Sequence, residues 1–258
     1  MRKIYALLNF LGFFPSAGKS NLKGISFFLT DLKKLKSQLL HDNQFPITRW
    51  FPILNERFES GGTVSGHYFH QDLLIAKRIF QNKPHRHVDI GSRTDGFVAH
   101  VASYREVEVF DIRNIPNKIS NIKFIQADFM KLNPEFIDYT DSISCLHAIE
   151  HFGLGRYGDP IDAYGHVKGL ETMYQVLKKG GKFYFSTPIG KQRIEFNAHR
   201  IFSVAYLLSL FRGKYRIDHF SYVNDHEDLF ENVELDESHL INNFGCSYGC
   251  GIFEMTKI

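Results

Sequence analysis

The stretch from His87 to Phe97, His-Val-Asp-Ile-Gly-Ser-Arg-Thr-Asp-Gly-Phe, constrains this chain's fold more than any other. Its first half is an apolar-flanked run ending in Asp89-Ile90-Gly91, which predicts a buried strand feeding a tight turn. The segment Phe97 to Tyr104 that follows predicts a helix. A glycine between strand and helix lets a ligand approach bare backbone, and the free N–H groups of the helix start favour polar or anionic atoms. The spacing is not G-x-G-x-x-G. Arg93 stands where the second glycine would be and would obstruct the close approach of a dinucleotide pyrophosphate.

The next apolar runs repeat one pattern. Val107 to Phe110 predicts a second strand ending at Asp111, twenty residues beyond Gly91, the offset at which an acid accepts hydrogen bonds from ribose hydroxyls. Ile122 to Gln126 predicts a third strand, followed by Asp128 and Phe129, a carboxylate and a ring suited to an adenine. Ser142 to Leu146 predicts a fourth, and its end carries His147-Ala148-Ile149-Glu150-His151. A helix from about Ala163 to Lys179 runs through a Lys-Gly-Gly-Lys turn into a fifth strand, Phe183 to Pro188. Beyond it the sequence predicts a loop to Arg200, a helix from Ile201 to Phe211, and two closing strands, Tyr215 to Val223 and Gly251 to Thr256. Strands alternating with helices imply a doubly wound α/β sheet.

The pattern D-x-G-S-x-x-x-G, from Asp89 to Gly96, resembles the first motif of class I S-adenosylmethionine (SAM) methyltransferases, with Gly96 one position late. The run L-K-x-G-G-x-x-x-x-S-x-P from Leu177 to Pro188 is also similar to that superfamily. From Gly66 onward the chain resembles a bacterial and nematode family of methyltransferase-like proteins. The resemblance runs through Gly66-His67-Tyr68-Phe69, the stretch His147 to Asp159, and Phe196-Asn197-Ala198-His199-Arg200. It implies a Rossmann-like, seven-stranded doubly wound sheet over residues 63–258, with a helical extension or lid over 1–62. It also implies SAM as cofactor: Asp89, Gly91, Ser92 and Gly96 at the methionine end, Asp111 and Ile112 on the ribose, Asp128 and Phe129 at the adenine, and His147 near the transferred methyl. Bacterial relatives of this kind are associated with surface-polysaccharide biosynthesis, so the acceptor expected is the hydroxyl of a small molecule or glycan precursor.

Methyl transfer to a hydroxyl requires an aligned lone pair and a means of removing the proton. The i, i+3, i+4 spacing of His147, Glu150 and His151 puts them on one side of a helical turn. H-x-x-E-H is similar to the E-x-x-E-H motif that holds a divalent cation in small-RNA 2′-O-methyltransferases, and His199 is the candidate fourth ligand. Imidazoles with one carboxylate suit Zn, Mn or Fe better than Mg. A metal site, a metal-free base and a purely structural cluster all remain open on sequence. Arg156, Tyr157 and Arg200 are candidate acceptor-pocket residues, because arginine grips phosphate or carboxylate bidentately; His67 and Tyr68 are candidate lid residues at the start of the helix before the first strand. Cys246 and Cys250, four apart without nearby paired ligands, are read as part of a buried edge rather than a zinc site.

A formal charge of +3 without a dense Lys/Arg tract gives no nucleic-acid footprint. Three unevenly spaced cysteines fit a reducing, cytoplasmic setting, as a monomer or homodimer. Met1 to Phe14 superficially resembles a secretory signal, but Asn9 interrupts it; an amphipathic helix with Ile4, Leu7, Leu8 and Leu11 on one stripe is expected, packed on the body or touching a membrane surface or a second copy. It is too short to span a bilayer. A second helix is expected from about Leu29 to Leu40, with Thr30 or Asp31 as its cap, and an irregular aromatic connector or lid from Phe45 to Phe58. The competing functions are an RNA- or nitrogen-directed methyltransferase, a non-catalytic SAM-binding scaffold and a nicotinamide-linked dehydrogenase.

Overall fold

The computed structural model describes residues 15–39, 45–58, 62, 64–116 and 118–258. The amphipathic stripe expected over residues 1–14 lies outside them. The chain forms two compact units, Met1–Thr63 and Val64–Ile258.

In the first unit, helix α1 spans Pro15–Gln38. It starts fourteen residues earlier than the Leu spacing predicted, so Thr30 and Asp31 lie inside it and cap nothing. Thr30 Oγ1 instead donates to the Ser26 carbonyl one turn back. Asp31 pairs with Arg57 at 3.2 Å, and the Arg57 guanidinium lies over the Phe27 ring. Gly24 admits the chain at Leu54, whose carbonyl oxygen would sit 2.1 Å from any Cβ placed there.

The second unit is built on an eight-stranded sheet of order β3-β2-β1-β4-β5-β10-β8-β9. Its strands are β1 His87–Ile90, β2 Val107–Asp111, β3 Ile122–Gln126, β4 Thr140–Leu146, β5 Leu177–Ile189, β8 Tyr215–Val223, β9 Leu229–Phe230 and β10 Gly249–Lys257. β1 to β5 are mutually parallel; β10 runs antiparallel between β5 and β8. The eighth strand is β9, two residues on the outer edge of β8, too short to show any periodicity. A separate hairpin, β6 Arg193–Glu195 with β7 His199–Ile201, occupies part of the segment expected to be a loop.

Helix α2, Gly66–Asn82, precedes β1 and buries Leu74, Ile75, Ala76 and Ile79 on one sheet face. After β1 the chain makes a π turn, Thr94–Val98, before helix α3, Ala99–Ala102. The turn is π because Gly96, at φ −121° and ψ −106°, leaves helical geometry and Val98 N reaches back to the Arg93 carbonyl. Helix α4, Gly165–Val176, and helix α5, Val204–Phe211, cover the opposite face. α4 stops short of the expected Lys179 because Leu177 already pairs with Thr140 as part of β5. Ser203 caps α5 through the Tyr206 N–H, which displaces its start from Ile201. A short helix, α6 Glu237–Ile241, is capped by Asp236.

Every residue of β1 and β2 is buried, as expected of central strands covered on both faces. Alternate residues divide between the layers: Val88 and Ile90 join Phe110, Met173 and Phe211 on one side, while Val107 and Val109 join Ile75, Ile79 and Val101 on the other. Cys250 pairs with Pro188 and Val223 in β10, an interior strand and not the edge expected for it. No helix among the described residues is long and apolar enough to cross a membrane.

Candidate functional site

Reversal of strand order between β1 and β4 opens a crevice at the carboxyl ends of the parallel strands, where open α/β sheets bind ligands. A cavity of about 960 Å³ lies there, lined by Gly91 to Asp95, Asp111 to Ile115, Ala127 to Met130, and residues of the turn after β4.

Gly91 makes the first wall possible. Its φ is +68°, a left-handed conformation that favours glycine, and its N–H donates to the Phe110 carbonyl at 2.9 Å. Asp89 lies beneath the turn and not in the cavity: its carboxylate accepts from Ser92 N, Ser92 Oγ and Ser144 Oγ at 3.0, 2.6 and 2.6 Å. Burial pushes its carboxyl up to about 6, partly offset by those bonds. Its expected place at the methionine end is thus corrected to a bracing position, because the side chain is consumed in folding its own turn. Gly96 also does not line the cavity; a Cβ there would meet Asp72 Oδ2 at 2.7 Å, so its small size serves packing against α2.

Asp111 and Ile112 do line the cavity, and so do Asp128 and Phe129. Both Asp111 oxygens are held by Arg113, through Nε at 2.9 Å and Nη2 at 2.7 Å. Asp128 Oδ1 accepts from Met130 N at 2.9 Å, and the Phe129 ring meets Phe110 edge-on.

The turn after β4 supplies the densest polar group. His147 takes φ +49°, uncommon for a residue other than glycine, with its N–H on the Ser186 carbonyl. After Ala148, Ile149–His151 form a single 3₁₀ turn. Buried Glu150 receives His147 Nδ1 on Oε1 at 2.9 Å and Thr187 Oγ1 on Oε2 at 3.4 Å. Burial alone would lower the His147 pKa, but Cys250 and Glu150 beside it outweigh that and raise it. Glu150 moves the opposite way, held down by His147 against its burial. His151 donates from Nδ1 to the Ala198 carbonyl at 2.7 Å, so its Nε2 keeps a lone pair, 3.8 Å from Glu150 Oε1. Burial lowers the His151 pKa.

His199 lines the cavity with its ring centroid 6.4 Å from that of His151, but its Nε2 turns toward Glu195 at 3.4 Å. His147, Glu150, His151 and His199 therefore share one cavity wall without gathering round a common point. Among the described residues, the one group of three or more metal-binding side chains whose donor atoms approach within 4.8 Å of one another is His67, His147 and Cys250.

Tyr68, Arg156 and Tyr157 line the cavity, while His67 stands behind His147. Arg200 is buried away from it: its guanidinium donates to the carbonyls of Glu150, Phe152, Asp162 and Ala163, fastening the loop after β4. Its expected role as an acceptor-pocket residue is corrected accordingly. Arg113 and Tyr248 are among the lining residues that the sequence reading did not single out. Arg113 lies two positions past Asp111 with no motif around it, and Tyr248 arrives from a distant loop to pack against His67 and His199.

The architecture is similar to several solved structures. The 1,6-didemethyltoxoflavin-N1-methyltransferase of Burkholderia thailandensis, solved with 1,6-didemethyltoxoflavin and S-adenosylhomocysteine bound, superposes with a TM-score of 0.52 at 10% identity, over 90% of this chain and 89% of that one. The [4+2]-cyclase SpnF gives 0.51 at 13% identity, over 83% and 85%. The N-methyltransferase NodS of Bradyrhizobium japonicum WM9 gives 0.51 at 10% identity, over 76% and 99%. At these identities the likeness establishes the fold, that of the class I methyltransferases with an added N-terminal helical segment. No curated protein matches the chain by sequence. A sequence profile matches residues 93–245, more than half of the chain, and the protein belongs to the family described as Caenorhabditis protein of unknown function, DUF268.

Proposed function

We propose that the protein is a SAM-dependent methyltransferase that methylates a hydroxyl of a small molecule or glycan precursor. One observation carries this reading: a ligand-sized cavity at the sheet's switch point joins a left-handed glycine turn, an acid ending β2, and a histidine with a free lone pair on the turn after β4. Pockets for small ligands run to roughly 300–1,000 Å³. About 960 Å³ has room for a nucleoside and an acceptor together.

SAM would supply a methyl on a sulfonium centre, open to in-line displacement. The turn Gly91-Ser92 would take the methionine portion on bare backbone, Asp111 and Ile112 the ribose, and Asp128 with Phe129 the adenine. His151 Nε2 would accept the acceptor hydroxyl's proton as its oxygen bonds to the methyl carbon and the carbon–sulfur bond breaks, with S-adenosylhomocysteine as the leaving group, and Glu150 would stabilise the resulting imidazolium. The acceptor end is walled by Tyr68, Tyr157 and Tyr248 with Arg156, rings for a sugar face and a guanidinium for phosphate or carboxylate. That composition favours a glycan precursor, including a phosphorylated one.

The test is calorimetric binding of S-adenosylhomocysteine, then incubation of a glycan-precursor extract with the protein and isotopically labelled SAM, read by mass spectrometry. Micromolar or tighter binding and a labelled methyl on a sugar-bearing product are expected. Preferential stabilisation by nicotinamide cofactors would sink the reading. Nucleoside binding without transfer to any extract fraction would favour a non-catalytic scaffold, and label confined to RNA or amines would move the acceptor class.

A further inference from the structure

We propose that His67, His147 and Cys250 form a site for one soft divalent cation, Zn²⁺ by its donor set, linking α2, the turn after β4 and β10. The proposal stands apart from the methyltransferase reading, since it concerns what the chain holds with no nucleoside present. These residues are far apart in sequence, and the fold brings one donor atom of each within 4.8 Å of the other two. Tetrahedral zinc with two imidazoles and a thiolate has bonds of about 2.0–2.3 Å, which set its donor atoms about 3.3–3.6 Å apart. Closing the difference takes about 1 Å, within reach of small side-chain rotations.

The commitments of His147 point to the same place. Its Nδ1 is engaged by Glu150 Oε1 at 2.9 Å, while Nε2 is buried and has no hydrogen-bond partner. An orphaned ring nitrogen in the interior is costly unless something fills it. A carboxylate on the far nitrogen of a histidine is also the usual outer support of a metal-bound imidazole, because it fixes the tautomer and raises ligand basicity. The His67 and His147 rings are stacked with centroids 5.2 Å apart and planes 21° from parallel, and Cys250 is wholly enclosed in β10. Its thiol otherwise has only long contacts, 3.8 Å to Gln71 Oε1 and 3.9 Å to the Gly251 carbonyl.

Two imidazoles and a thiolate prefer Zn²⁺ to Mg²⁺ or Ca²⁺, which take oxygen ligands. Three protein ligands leave a fourth position. His147 belongs to both this group and the cavity wall, so the ion would fix the wall's most unusual backbone residue.

The test uses the full chain, expressed with zinc supplied and purified without chelator. Elemental analysis is expected to find close to one zinc per chain, falling at least tenfold in C250S and in H67N but not in H199N. Cobalt loaded into the wild-type chain is expected to give the near-ultraviolet thiolate-to-cobalt charge-transfer band, a readout that needs no variant to fold. Far-ultraviolet circular dichroism checks each variant. Zinc far below stoichiometry after incubation with excess zinc would overturn the proposal, as would cobalt bound without the thiolate band. So would a folded C250S that keeps its zinc while H199N loses it.

Discussion

The Arg113 guanidinium clasps both carboxylate oxygens of Asp111, at 2.9 and 2.7 Å, while its plane lies over the Tyr157 ring with Cζ 4.5 Å from the centroid. The acid expected to receive a ribose is therefore engaged by a neighbour two residues away, and a nucleoside must share or displace that arginine. Removing the acid and removing the arginine then have different consequences. Asp111→Asn is expected to weaken S-adenosylhomocysteine binding at least tenfold, about 1.4 kcal/mol. Arg113→Ala is expected to bind it no more weakly than wild type, because the carboxylate is released. Titration calorimetry of the two variants decides the point: an arginine variant as defective as the asparagine variant would make Arg113 part of the binding surface.

His151 is fixed as a base by one hydrogen bond. Donation from Nδ1 to the Ala198 carbonyl sets the tautomer and leaves Nε2 toward Glu150. Glutamine at position 151 can neither take a proton at neutral pH nor form an ion pair with Glu150. His151→Gln is expected to lower the rate of label transfer from SAM by roughly 10²–10⁴-fold while leaving S-adenosylhomocysteine affinity within about threefold. A variant that retains more than a tenth of the wild-type rate would assign proton removal elsewhere.

The two glycines of the first motif separate by the same logic. Alanine at Gly91 would carry a side chain at φ +68°, costing about 1–2 kcal/mol, and would set its Cβ 3.2 Å from the Cβ of Ala148 at the cavity floor. Gly91→Ala is expected to lose both thermal stability and S-adenosylhomocysteine binding. A Cβ at Gly96 is crowded by the Asp72 carboxylate behind the turn, at 2.7 Å, and makes only an ordinary 3.7 Å contact with the Arg93 Cβ, so in Gly96→Ala thermal stability should fall with little change in affinity beyond what unfolding explains. Thermal scans with and without the nucleoside distinguish the outcomes: equal binding losses would place Gly96 against the ligand after all.

What could be read from the chain follows from where the information lies. β1, β2 and β3 are short apolar runs, each with an acid at or just past its carboxyl end, and β3 runs Ile122–Gln126 as predicted from local pattern. The glycine turn was legible for the same reason. The use of the acids was not: whether Asp89 faces a ligand or its own serines depends on Ser144 of another strand, 55 residues away. Arg200 looked like a pocket residue until its donors were seen to be spent on four carbonyls of a loop that begins fifty residues earlier. Cys250 shows the limit most clearly. Beside Cys246 it suggested little, and only the packing of β10 against α2 and the turn after β4 brings His67 and His147 to it.

Buried histidines away from the cavity give the fold a testable response to acid. Burial pushes His166 down to about 4, with Arg200 adding to the effect and Asp162 opposing it, and burial likewise lowers His87 to about 3. His166 Nε2 meets Tyr206 Oη at 2.9 Å, its Nδ1 is buried without a partner, and its ring packs on Phe202. A base whose folded pKa lies below its unfolded value near 6.5 stabilises the fold fully above pH 6.5. That contribution is lost as pH falls toward the folded pKa, because the unfolded chain binds the proton first. Asp72 and Asp89, both raised to about 6 by burial, work the other way, gaining stability for the fold as pH falls from about 6 toward 3.8. The wild-type curve therefore sums contributions of opposite sign, and the informative quantity is a difference. His166→Gln is expected to melt below wild type at pH 7.5, from lost packing, with the gap narrowing steadily as pH is lowered to 4.5. Differential scanning calorimetry across that window measures it; a gap that stays constant would show that His166 titrates alike in both states and that its burial carries no proton linkage.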